Sequence, residues 1–157
     1  MSLLVLFSIV ATAFTINYSV LQLEVLTNNL QGIAEHVSAE ISDLVSLCSL
    51  SARHQLVFKK LEVPETVRLE AYRISIIHSE DLLKVVAQPL SSSTPYGVAL
   101  LPWSMEGNIK AFNGTDPGIN DSRISPRASV SSLPENVIVW CLRKGAQTTF
   151  GLGLMEG

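Results

Sequence analysis

The feature that most constrains this chain is an opening stretch with no charge in it. From Met1 to Leu23 (MSLLVLFSIVATAFTINYSVLQL) there is no Asp, Glu, Lys or Arg. A helix rising about 1.5 Å per residue turns such a segment into a rod of roughly 35 Å, close to the hydrocarbon thickness of a bilayer. The imbalance extends further. Up to Ala52 the only charges are Glu24, Glu35, Glu40 and Asp43, and all 11 basic residues follow from Arg53 onward. An apolar leading segment on a near-neutral remainder offers no positive stripe for nucleic acid, and no nucleic-acid partner is expected. The rod has no stable home in water and needs lipid or other protein around it.

The helical pattern runs on past Leu23. Leu26, Leu30, Ile33, Val37, Ile41, Leu44 and Cys48 follow one another at spacings of four, three, four, four, three and four, which is one apolar stripe at helical period. No proline occurs before Pro64, and the single glycine, Gly32, costs only about 1 kcal/mol. The helix is therefore expected to continue to about Leu50. A secretory signal peptide would want a basic leading region, a shorter apolar run and a small-residue cleavage site. A simple transmembrane anchor usually carries flanking Lys or Arg. Neither pattern is present, so the segment is expected to be the start of a chain whose leader has been removed. A buried central helix of a globular domain fits poorly, because the remaining hundred or so residues would hardly cover both ends of the rod.

After Ala52 the texture changes to short runs separated by turn residues. Strands are expected over Gln55 to Glu62, over Val67 to Ile77 with a bulge at Tyr72, and over Leu82 to Ala87 after a turn at His78-Ser79-Glu80-Asp81. Gly97 to Leu101, Asn108 to Phe112, Val137 to Leu142 and Thr148 to Leu154 are further candidates, and VIVWCL, apolar on both faces, suits the middle of a sheet. The polar stretch between Ser104 and Pro134 is expected to be a long exposed loop, or two loops around a short strand. The predicted fold is α+β: a long N-terminal apolar helix in residues 1–52, then a small antiparallel β-sandwich, immunoglobulin-like, in residues 53–157.

A long apolar N-terminal helix joined to a compact β-domain resembles an archaeal type IV pilin or its relative, the archaellin. The segment LEVPETVRLEAYRISI adds to this. It is similar to a recurring feature of archaeal pilin-like proteins, in which a strand and a proline precede a tyrosine-containing strand, here through Leu61, Val63, Pro64, Tyr72, Ile74 and Ile76. Val5 stands where bacterial pilins usually carry a glutamate, which points to the archaeal branch. The resemblance implies a leader cut by a prepilin peptidase, a pilus assembly machinery as partner, helices bundled in a filament core, and β-domains forming the outer wall.

No residue set here is expected to carry catalysis or hold a cofactor or metal. His36, His54 and His78 lack ligand spacing, Ser91-Ser92-Ser93 lacks a nucleophile motif, and Gly151-Leu152-Gly153 is too short to cradle phosphate. Cys48 and Cys141 are the only cysteines. In an exported protein they invite a disulfide stapling helix to β-domain, and two buried thiols packed as small hydrophobes is the alternative. Three glycosylation triplets occur, at Asn17, Asn113 and Asn120. Asn17 lies in the apolar run, whereas Asn113 and Asn120 share the polar loop and are the candidates for N-linked glycans.

The expected function is structural: a homo-oligomeric subunit of an extracellular archaeal type IV pilus-like filament serving surface adhesion, inserted in the membrane before assembly. Leu3, Leu4, Leu6, Phe7, Val10, Phe14, Leu26, Leu30, Ile33, Val37, Ile41 and Leu44 are its expected polymerisation surface. Ser2, Ser8, Ala11, Ala13 and Ser19 are small enough to let helices approach closely. The alternative is a membrane-anchored extracellular binding module, or a minor pilin or adhesin, that does not form the bulk filament.

Overall fold

The structure, a computed structural model, describes residues 2–50, 55–79, 81–94, 96–104, 107–133 and 136–156. One helix, α1 (Ser2–Leu50), takes up 49 residues, a length of roughly 74 Å at helical rise. Its last turn contains no basic residue. The Arg143 guanidinium, arriving from a distant strand, donates instead to the Ser49 carbonyl, placing a cation at the negative end of the helix dipole.

Strands follow in the order β1 (Gln55–Lys60), β2 (Tyr72–Ser79), β3 (Leu82–Pro89), β4 (Gly97–Ser104), β5 (Ile109–Ala111), β6 (Ile124–Arg127), β7 (Ser129–Ser131), β8 (Val137–Lys144) and β9 (Gln147–Met155). One sheet runs β1-β8-β9-β5, with β6 also on β9; the other runs β4-β3-β2-β7. The pairings are antiparallel except β5 with β9, which is parallel. The first sheet is therefore mixed, against the expectation of a purely antiparallel head.

The apolar run VIVWCL lies centrally in β8, between β1 and β9. Its Val137, Val139 and Cys141 face the main core shared with α1, and Ile138, Trp140 and Leu142 face a second cluster on the other side. The polar stretch after Ser104 closes that second cluster. It is pinned to β9 by β5 and β6, and Phe112 sets its ring edge-on to Trp140 at 5.5 Å. Ile119 and Ile124 add to the cover.

Val67 to Ile77 is not one bulged strand. Val67 and Glu70 bond each other's backbones at 2.9 and 3.0 Å in a tight turn, with Arg68 and Leu69 both at positive φ, 55° and 67°. The strand begins only at Tyr72, so the apparent register shift marks where a turn ends. Tyr72 is held from three sides. Its hydroxyl donates to the Pro64 carbonyl at 2.5 Å, its backbone N–H donates to Ser132 Oγ at 3.1 Å, and its carbonyl accepts from Ser132 N at 2.8 Å. Burial pushes the Tyr72 hydroxyl pKa up.

The second half of α1 lies against edge strands of both sheets, β4 on one side and β1 on the other. Leu30, Ile33, Val37, Ile41, Leu44 and Cys48 are buried in the same core as Ile74, Val85, Leu101, Val139 and Phe150. Gln31 treats β4 as a strand would: its Nε2 donates to the Val98 carbonyl and its Oε1 accepts from Val98 N, both at 2.9 Å. Ser38 Oγ donates to the Leu100 carbonyl at 3.0 Å. The approach requires Gly97, where a Cβ would fall 2.3 Å from the Leu30 and Gln31 backbone. On the other edge Lys59 Nζ meets Glu40 Oε2 at 2.5 Å, and this bond holds the lysine pKa above its usual value.

Val37 is fully buried in that seam, so an ionised side chain at position 37 would be stripped of water among apolar neighbours. Val37→Asp is expected to lower the head's unfolding free energy by about 4 kcal/mol, measured by urea unfolding in mild detergent with Trp140 fluorescence as signal. A midpoint equal to wild type would contradict the docking described.

Candidate interaction surface on the long helix

Among the described residues the first half of α1 is largely uncovered by the head. Leu3, Phe7 and Phe14 are 83%, 72% and 72% exposed, and Val5, Leu6, Val10, Ile16 and Val20 are exposed as well. The Leu4 side chain lies outside the described residues. By length and composition α1 is apolar enough to cross a membrane, and none of its most apolar window is buried within the chain. An anchor or a signal sequence has this character; the core helix of a compact domain does not.

The polar side chains of this half are arranged for a dry setting. Thr12 donates to the Ser8 carbonyl at 2.8 Å, and Thr15, Ser19 and Thr27 donate to the carbonyls of Ala11, Thr15 and Leu23 at 2.9 Å. A hydroxyl satisfied within its own helix costs little when water is removed. Ala11, Thr15 and Ser19 fall four apart and form a ridge of small side chains on which another helix can approach closely. Asn17 is exposed on the same segment and has both an amide donor and an acceptor to offer.

The expected polymerisation surface therefore divides. Leu3, Leu6, Phe7, Val10 and Phe14 are exposed, whereas Leu30, Ile33, Val37, Ile41 and Leu44 are buried in the chain's own head and Leu26 is half-buried at its rim. As long as the head stays docked, those six face their own strands and not a second copy. The signal that separates the halves is present in the sequence. Up to Leu23 the helix is uncharged all round, and beyond it Asn28, Asn29, Glu35, His36 and Asp43 give one polar side, the pattern of a helix lying on a globular body.

Cys48 and Cys141, far apart in sequence, meet in the core as free thiols, both fully buried. Burial pushes the Cys141 thiol pKa up, and the bond and charge of neighbouring Cys48 add to it. Cys48 Sγ lies 4.0 Å from the Gln55 carbonyl.

Asn113 and Asn120 both stand exposed on the segment that crosses the outer side of the β8–β9 sheet. Asn113 Oδ1 accepts from Thr115 N at 3.2 Å and from its hydroxyl at 2.6 Å. Beside Asn120, Asp121 takes bonds from Arg123 Nη2 at 2.8 Å and Nε at 3.0 Å, which hold its carboxyl pKa down to about 2.

The remaining motifs have structural settings. Gly151 and Gly153 leave room for Trp140, since a Cβ on Gly151 would sit 2.8 Å from the indole, and the indole N–H donates to the Leu152 carbonyl at 2.8 Å. Ser91 bonds Glu70, and Ser92 forms a turn with Thr94. His36 and His78 are exposed and His54 lies outside the described residues. Among the described residues no three His, Cys, Asp or Glu gather as a metal ion would require. No family model, curated protein or solved structure matches this chain.

Because Cys141 and Tyr72 stay protonated in the fold more strongly than in the unfolded chain, stability should fall as pH rises. The first loss begins near the ordinary thiol pKa, about 8.5, and the second near that of tyrosine, about 10. Thermal unfolding across that range tests this; a melting temperature that held or rose would contradict the buried thiol pair.

Proposed function

We propose that the chain is a structural subunit of an extracellular filament of the archaeal type IV pilus kind, with adhesion as its role. On this reading the bare half of α1 is held by lipid before assembly and by copies of itself afterwards. The observation that carries the reading is the division of one continuous helix into a half docked in its own head and a half bare on all sides. A rod projecting from a folded body presents one patch to a different patch on the next copy. Such heterologous contacts need not close, as an open polymer requires. Lipid and neighbouring helices are similarly apolar, so close packing and interhelical hydrogen bonds must favour the polymer. The ridge of Ala11, Thr15 and Ser19 and the amide of Asn17 supply both kinds of contact.

The head, taken as an immunoglobulin-like sandwich, forms the outer wall, with Asn113 and Asn120 on its surface as glycan acceptors. A prepilin peptidase and an assembly machinery come with this reading.

Detergent removal from the purified full chain, followed by negative-stain microscopy, tests it. Wild type is expected to form regular fibres. Phe14→Asp should abolish them while leaving the urea midpoint of the head unchanged, and Asn17→Leu should weaken self-association by about 1 kcal/mol. Fibres unaffected by Phe14→Asp would overturn the proposal. A wild-type chain that stayed monomeric in lipid and never formed fibres would instead identify a membrane-anchored binding module.

A further inference from the structure

Transmembrane helices are usually held at the membrane surface by basic residues flanking the apolar span, and α1 contains no Lys or Arg anywhere. The fold brings one to it. Arg68 Nη1 donates to the Gln22 carbonyl at 2.9 Å, across 46 residues of sequence. Between Ser2 and Gln22 the helix carries no charge over roughly 30 Å, enough to cross a bilayer's hydrocarbon core, and its first charge, Glu24, follows directly. The guanidinium therefore sits where the apolar span ends. A guanidinium has five donors, and one is engaged here; the rest suit phosphate oxygens.

Leu69, the next residue, is 96% exposed. It occupies the tip of the Val67–Glu70 turn, held there with Arg68 in the left-handed region that side chains seldom adopt. Other exposed apolar side chains share this end of the head. β4 starts beside Leu30 and Gln31 and runs with the helix, so Tyr96, just before it, lies toward the bare half. Leu90 bonds Ala71, and Leu133 follows the Ser132 that bonds Tyr72 and Glu65. All three are exposed.

We propose that the Arg68–Leu69 turn is a membrane-contact element: Leu69 enters the outer layer of the bilayer in which the bare half of α1 is inserted, and Arg68 binds lipid phosphate. This rests on the membrane-inserted state proposed above. Glu65 and Glu70 flank the turn, so the end is not strongly cationic. Contact needs both the Leu69 side chain and the Arg68–phosphate bond, which zwitterionic lipid also supplies, so it does not require anionic lipid.

The test uses the full chain in phosphatidylcholine vesicles, with and without lipid brominated near the headgroup. Leu69→Trp adds a fluorophore at the tip, and Leu47→Trp adds one at an exposed site on the far end of α1. With wild-type emission subtracted, the Leu69→Trp signal should be blue-shifted and quenched by brominated lipid, and the Leu47→Trp signal should be neither. Adding Arg68→Glu should relieve the quenching. An unquenched Leu69→Trp on a chain that floats with vesicles overturns the contact and leaves the anchoring intact; a chain that does not float overturns both. Equal quenching at the two sites, or quenching unchanged by Arg68→Glu, also counts against it. Shielding of Leu69→Trp only in lipid-free fibres assigns the tip to a second copy instead.

Discussion

The structure depends on one docking event: the apolar stripe of α1 filling the seam between β4 and β1. Each of these strands is an edge, with backbone groups and core side chains open on one flank. Leu30, Val37, Ile41 and Leu44 supply the missing apolar surface, and Gln31 and Ser38 satisfy backbone groups of β4. Edge strands left bare invite pairing with other chains, so a helix that bonds one of them also guards against uncontrolled association. Glu40 and Lys59 mark the opposite edge. Lys59 is largely exposed whereas Glu40 is mostly covered, so solvent screens the pair from the lysine side and its contribution is modest; burial of the stripe dominates.

Docking one half of a rigid rod fixes the direction of the other. Since α1 is a single helix from Ser2 to Leu50, its bare half must continue the axis of the docked half, away from the sheets. The head therefore carries an apolar rod whose most apolar window it does not bury. The basic charges α1 lacks come from the head: Arg143 at its C-terminal end, Lys59 at Glu40 and Arg68 near its midpoint. On the bare half the hydroxyls of Thr12, Thr15 and Ser19 are closed onto carbonyls one turn back in the same helix. On the reading proposed above, shape along the small-residue ridge and the amide of Asn17 make association selective.

Much of this was legible in the sequence. The extent of α1 followed from an unbroken stripe without proline, and the central place of β8 from a run apolar on both faces. What the stripe faces was not legible, because a periodic apolar pattern reports that a face is buried and not by whom. Leu30 and Val37 read equally well as filament contacts, and the structure gives them to the head. β6 and β7 leave little trace in the sequence because they are short, largely polar and held by partners distant in sequence, β9 and β2. The Arg68–Leu69 turn was hidden by chance alternation that imitated a strand. The meeting of Cys48 with Cys141 was open to expectation, since both lie on apolar faces; their state as thiols was not.

Everything follows from α1 being two physically different halves. Sedimentation of a chain beginning at Glu24, compared with the full chain in buffer without detergent, tests this most directly. The shortened chain should be a folded monomer, with the seam intact, while the full chain should sediment as large assemblies. A shortened chain that aggregated or lost its fold, or a full chain that remained a monomer, would contradict the account.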